Sequence, residues 1–282
     1  MGTLIDIQED INKTVKLYNE SKQYFSDSLI ITPFYDDFRY SFCWSSNAIE
    51  GNTLTLEDTI NFIDYDEVRS GHKFSEYEEA KRLDTAIKKY LSYEPQNITE
   101  NWILNINSEI TGDLKGYRKE NVYIGNQIKA VFYPPSFESV PGLMSEFLLD
   151  INFRADEIGD IISKTARKHM EFERIHPFKD GNGRTGRLIM NQNLINNGLL
   201  PISIEPKSKY KQAFRTYDRN GDISLLEHII HVGEQKALGE IKKLFRRYEL
   251  TMKSESLKMK NSVKEENDDY DKCDEYEQDF GL

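Results

Sequence analysis

Along most of the chain, apolar residues recur every three or four positions, the spacing that gathers them on one face of an α-helix. Leu4, Ile7, Ile11, Val15 and Tyr18 do so in an otherwise polar opening segment. The same period predicts helices over about 35–50, 56–68, 75–92 and 99–111, the last opened by Thr99 with Trp102 and Ile103 behind it. Further helices are predicted over 137–153, 158–174, 182–197, 206–217 and 223–250. One stretch departs from this pattern. Between Gly116 and Pro135, the residues Tyr117, Val122, Tyr123, Ile124, Val131, Phe132 and Tyr133 gather around Gly125-Asn126. β-Branched and aromatic residues flanking a turn pair predict a two-stranded hairpin. From about Thr251 the apolar period is lost, and from Glu265 to Asp279 acidic residues far outnumber the single Lys272. Such a tail is expected to be disordered or loosely attached. The fold class read from this pattern is mostly α, with a small β-hairpin flap over 116–135. No internal repeat interrupts it.

Composition narrows the function. The chain has 282 residues, 38% of them hydrophobic, enough to bury a core in one large domain or two small ones. Against 37 basic residues stand 48 acidic ones, a net charge of −11. That balance argues against a nucleic-acid partner, which a basic face would serve, but leaves room for a local basic pocket. Cys43 and Cys273 are too few and too far apart for a disulfide framework or a cysteine-rich metal site, so a reducing compartment fits. The opening Met1 to Asp6 lacks the basic start and apolar run of a signal peptide, and Asp6 stands where a myristoylation signal wants Ser or Thr. No apolar stretch approaches the ~20 residues that span a bilayer. The expectation is a soluble, cytoplasmic protein without a membrane partner.

The chemistry concentrates in His176-Pro177-Phe178-Lys179-Asp180-Gly181-Asn182-Gly183-Arg184-Thr185-Gly186-Arg187, between two apolar-periodic helices. A loop running into a helix N-terminus is expected there. Gly181 and Gly183 allow close approach of backbone N–H groups to a ligand, and the helix dipole behind them favours an anion. Arg184 and Arg187, three apart, can serve one polyphosphate with forked donors. Asp180 offers a hard oxygen to Mg²⁺, and His176 can take a proton from a nucleophile near neutral pH. A base, a metal ligand, an anion hole and two cations are the parts of phosphoryl or nucleotidyl transfer. Singly, each has a plainer reading as helix cap, scaffold histidine or solvated arginine; twelve residues carrying all of them favour the functional one.

The string resembles the Fic family signature H-x-F-x-[DE]-G-N-G-R-x-x-R, matched at every specified position. The preceding Ala166 to Ile175, the following Leu188-Ile189-Met190-Asn191, and the segments Gly116-Tyr117-Arg118, Val122-Tyr123-Ile124-Gly125 and Tyr133-Pro134-Pro135 are similar to the family as well, and the likeness covers about 30 to 250. The resemblance implies a Fic-type helical domain over 96–250, an N-terminal helical region over 1–95 and a tail over 251–282. It implies a protein adenylyltransferase that moves AMP from ATP to a Tyr, Thr or Ser hydroxyl of a target protein. His176 would be the base, Phe178 a buried anchor, and Asp180 the Mg²⁺ ligand. Asn182 with the Gly181 and Gly183 backbone would stabilise phosphate charge, Arg184 would meet the β-phosphate and Arg187 the γ-phosphate, and Thr185 and Gly186 would belong to the same nucleotide-binding set. The flap residues Val122, Tyr123, Ile124 and Gly125 would cover the nucleotide and pair with an extended target segment. Tyr210 would lie against the adenine, with Lys211 where the family has a second Tyr, and Asp218 or Asn220 would touch the nucleoside. Self-modification and a homodimer belong to the same set of implications. Removal of AMP from targets, transfer of another phosphate-containing group, and a non-catalytic ATP-binding module are the alternatives.

Upstream, Ser46 to Gly51 matches the family's inhibitory motif [ST]-x-x-x-E-[GN]. The resemblance implies a self-inhibited protein, its inhibitory helix at about 35–51, in which Glu50 pairs with Arg187 and takes the place of the triphosphate. The plainer reading is a helix stopped by Gly51. Asp218 to Ser224 begins like a calcium loop, but Ile223 and Ile229 stand where Gly and Glu are needed. His72, His169, His228 and His231, and the aromatic residues of 34–44, read as packing, loop or surface positions.

Overall fold

The computed structural model describes residues 5–125, 130–205 and 209–278, in which ten α-helices and one two-stranded ribbon follow one another. The first helices are α1 (Ile7–Ser21), α2 (Ser28–Glu50), α3 (Leu56–Tyr65), α4 (Phe74–Tyr90) and α5 (Glu100–Thr111). Strands β1 (Ile124–Gly125) and β2 (Ala130–Phe132) come next, then α6 (Val140–Asp150), α7 (Ile158–Ile175), α8 (Asn182–Asn196), α9 (Tyr210–Asn220) and α10 (Ser224–Gln278). The mostly helical class with a small strand element is the one expected. Among the described residues no helix is long and apolar enough to cross a membrane.

Helix α8 is the hub. Every residue in it except Gly183 is buried, so it has no solvent face. Its polar side chains spend their hydrogen-bonding capacity on loops. Asn191 binds the Ile202 main chain in both directions, and Gln192 and Asn196 hold the segment from Ser92 to Gln96. One apolar cluster, on the side of α1, α9 and α10, includes Met170, Leu194, Leu226 and Ile241; the other, on the side of α4, α5 and α6, includes Phe42, Ile106, Phe147 and Leu188. Helix α2 contributes to both, through Ile30, Phe34 and Ile49 to the first and Phe38 and Phe42 to the second. Residues 1–95 thus share both large clusters with the rest of the chain.

Three elements differ from the pattern-based expectation. Helix α2 begins at Ser28, not near 35, because Asp27 caps it by accepting the Leu29 N–H at 3.0 Å and Pro33 is accommodated near its start. Helix α10 continues through Gln278, past the point near 250 where the apolar period ends. The Lys and Glu of that stretch are good helix formers, so the backbone needs no apolar stripe to coil. The hairpin is shorter than 116–135. Ile124 lies opposite Phe132 and Gly125 opposite Ala130, with a bulge between the two pairs, and the proposed turn residue Asn126 falls outside the described residues.

Candidate active site

Helix α7 ends because His176 takes a left-handed conformation, φ 48° and ψ 60°, its N–H still donating to Phe172 O at 3.0 Å. A non-glycine residue there is strained, and the surroundings must hold it. Buried Arg118 does so. Its N–H donates to Pro177 O at 2.9 Å and its Nε to His176 O at 2.9 Å, while the rest of its guanidinium reaches Glu120 O and Pro135 O. One side chain thereby ties the base of the flap to the loop.

The loop then closes on itself. Phe178 is buried between the Tyr117 and Phe172 rings. Its N–H and carbonyl are both taken by the Asn182 side chain, at 2.9 and 2.8 Å. The Asn182 amide, expected to stabilise phosphate charge, thus clasps the loop, while Asn182 also lines the cavity beside it. Gly181 has φ 75°, and a Cβ there would strike Asn107 and Thr111 of α5. Asn107 itself donates to Asp180 O at 2.9 Å and to Thr185 Oγ1 at 3.3 Å. The Asp180 carboxylate is exposed, accepting the Gly181 N–H at 2.6 Å.

The two arginines differ. Arg184 is 5% exposed, lies 3.6 Å from Asp180 through Nη2, and keeps Nε and Nη1 buried with no hydrogen-bond partner among the described residues. Arg187 is fully engaged: Nε donates to Ser46 Oγ at 2.8 Å, and Nη2 to Ser46 O at 2.9 Å and Glu50 Oε1 at 2.7 Å. Burial opposes ionisation of Glu50, but Arg187, with Arg184 and Lys211 beyond it, outweighs that and holds the carboxyl below its ordinary range. The end of α2 is itself anchored. Asn52 Nδ2 donates to Glu76 O and Glu79 Oε2, and the Thr53 N–H to Glu76 Oε1 at 2.7 Å.

Glu50, His176 and Gly183 form a shared wall between two cavities. One, of about 470 Å³, is also lined by Asp180, Gly181, Asn182 and Arg184 and by Lys73, Ser75, Glu76 and Glu79 from α4 and its approach. The other, of about 520 Å³, is lined by Arg187, Ile124, Gly125 and Phe132 of the flap, Glu173 and Arg174 of α7, and Tyr210, Lys211, Phe214 and Asp218 of α9. A side chain at Gly183 would run into the Glu50 carboxylate, so that carboxylate occupies the mouth of the α8 N-terminus. Burial, with Arg118 and Arg174 adding to it, pushes His176 down to about 4, against the pull of the Glu173 main chain; its imidazole is neutral at pH 7.

Thr185 and Gly186 face inward, toward Asn107 and toward Glu173 and Phe172. Val122 and Tyr123 are off both cavity walls, and Tyr123 is exposed. Asn220 accepts the Asp222 N–H at 3.2 Å; of the two nucleoside candidates, Asp218 is the one on the wall. Three residues gain importance that the sequence did not convey. His169, read as packing or surface, is buried and bonds Gly186 O and Tyr210 Oη. Glu173 is buried with Oε1 unpartnered among the described residues, and burial raises it to about 7 despite Arg187. The available signal was its place in line with Ala166 and Met170, a carboxylate on the apolar face of α7. Arg174 is the third. Among the described residues, no group of three or more His, Cys, Asp or Glu side chains is arranged to hold a metal ion.

Known proteins similar to this chain fall in one group. Residues 97–194 match the Fic/DOC family. The chain is 31% identical over 175 residues to "Protein adenylyltransferase Fic" of Nematostella vectensis, covering 59% of this chain and 40% of that protein. It is 32% identical over 190 residues to the protein of the same name from Drosophila melanogaster, covering 64% of this chain and 37% of that one. The chain thus spans about two fifths of the length of these relatives. Among solved structures, a Fic domain containing signaling protein from Bacteroides thetaiotaomicron superposes with a TM-score of 0.72 at 25% identity, over 82% of this chain and 96% of that one. Fic-1 (residues 134–508) from C. elegans shares the fold, with a TM-score of 0.70 at 20% identity over 86% of this chain and 73% of that one. With the match spanning 97–194 and the fold shared with a Fic domain structure, this part of the chain is similar to the Fic/DOC family.

Proposed function

We propose that the chain transfers AMP from ATP to a hydroxyl of a target protein and that Glu50 restrains this activity. The observation that carries the reading is Arg184, whose two buried, unpartnered nitrogens share a cavity wall with His176, Asp180 and the start of α8. A buried guanidinium without acceptors is costly unless an anion completes it. The names of the adenylyltransferase relatives support AMP as the group transferred.

In this reading, Nε2 of neutral His176 takes the proton of the acceptor hydroxyl. The acceptor oxygen bonds to the α-phosphorus as the bond from that phosphorus to the bridging oxygen of the β-phosphate breaks, and pyrophosphate leaves with the electron pair. Arg184 and the N-terminal amides of α8 stabilise the charge on the departing phosphates. Asp180, exposed and offering hard oxygens, would hold a Mg²⁺, an ion that does not require a cluster of protein ligands. When bound, the ion supplies charge neutralisation between the phosphates. Ile124 and Gly125 offer a strand edge to the target backbone, and Tyr210 the aromatic wall for the adenine. Glu50 holds Arg187 through one carboxylate oxygen and puts negative charge where a triphosphate would extend.

Incubation with ATP labelled on the α- or the γ-phosphate tests the proposal. Label from the α position on protein, lost in His176→Ala, is expected. Label from γ would mean kinase-like chemistry. ATP binding without transfer, even in Glu50→Gly, would mean a sensor, and no binding at all would end the nucleotide reading.

A further inference from the structure

Arg174, two residues ahead of His176, joins three elements. Its guanidinium carbon lies 4.4 Å from the centre of the Phe132 ring on β2 and 5.0 Å from that of Phe214 on α9. Its Nη2 donates to Oδ2 of Asp218 at 2.8 Å, and its Nε lies 2.6 Å from Oδ1 as an ionic contact without hydrogen-bond geometry. The cation thus has aromatic contact with the flap on one hand and both aromatic and ionic contact with α9 on the other. The flap needs such a hold. A ribbon of two short strands is marginal alone, and Arg118 secures only its base. At the strands, Phe132 is the cross-strand partner of Ile124, whose edge borders the cavity.

We propose that Arg174 is a positioning residue that clasps the flap to α9, setting how the Ile124 edge closes over the cavity and where an acceptor strand lies. This rests on the proposed function for its catalytic consequence, though not for the clasp itself. The geometry is specific to arginine. A lysine could keep an ionic contact but not the flat guanidinium face that lies against both rings. It also ties Asp218, on the cavity wall, to Arg174 through its Oδ2.

The test uses the full chain in a Glu50→Gly background. Amide hydrogen exchange at Ile124, Gly125 and Phe132 is measured without nucleotide, with exchange in α8 as the control for intact folding. Arg174→Met and Arg174→Lys are expected to speed exchange in the flap about tenfold and leave α8 unchanged, the loss of ~1.4 kcal/mol of flap closure. In the transfer assay the same variants are expected to raise KM for the acceptor more than they lower kcat. Unchanged flap exchange overturns the clasp whatever the activity. Faster exchange with unchanged kinetics overturns the positioning role. Faster exchange in a chain that transfers no AMP keeps the clasp and ends the proposed function instead. Should Arg174→Met not fold, Phe132→Leu, which removes the ring and keeps the Asp218 pair, carries the same comparison.

Discussion

Gly181 sits at φ 75° with Asn107 and Thr111 in the way of any side chain, whereas Gly183 lies in helical backbone with the movable end of Glu50 in front of it. Gly181→Ala is therefore expected to cost about 2 kcal/mol or more of stability, combining left-handed strain with displacement of α5. Gly183→Ala should cost less than about 1 kcal/mol, because Glu50 can move, yet weaken ATP binding; denaturant melts and calorimetry together separate the two. Glu50→Gly is expected to raise the initial rate of α-label transfer about tenfold or more, equivalent to ~1.4 kcal/mol of restraint; an unchanged rate removes the brake. With His176 near 4, the acid limb of kcat/KM is expected near that value and not near the ordinary 6.5, which a pH–rate profile reads directly. His176, Asp180 and the glycines were legible in the sequence because their chemistry is local to one loop. Asn182 was legible as a member of the site but not as a clasp, since its job depends on how the loop closes. Glu173 and Arg174 acquire meaning only from helices distant in sequence.

Flap and loop are one mechanical unit at the scale of elements. Arg118→Met is expected to cost about 3 kcal/mol, since it strands carbonyls at His176, Glu120 and Pro135 and releases the strained backbone of His176. The loss should appear as lower stability together with a transfer rate close to that of His176→Ala. Most helices were legible because each exposes one face and buries another, the condition under which a 3.6-residue period is visible. Helix α8 has no exposed face, and what announced it was the glycine-rich start. The start of α2 was obscured by Pro33, and the strand lengths of the flap by aromatic residues that pack irregular backbone equally well.

For the whole molecule, buried ionisable groups make stability depend on pH in two opposing ways. Burial pushes His169 to about 3 and His176 and His231 to about 4, so the folded state binds fewer protons than the unfolded one between these values and 6.5. Their contribution is complete above 6.5 and is lost as pH falls. Burial raises Glu173 to about 7 and Glu234 to about 8, so the folded state binds more protons above 4.5, and stability is lost as pH rises through 7 to 8. A melting-temperature maximum near pH 6.5 is expected, and Glu234→Gln should flatten its alkaline side. A second consequence comes from the contact between Glu50 and Arg187, which joins positions 137 apart through a helix rooted in both apolar clusters. If the proposed restraint holds, restraint and stability share one bond, and Glu50→Gly should melt earlier than the unaltered chain even as its transfer rate rises.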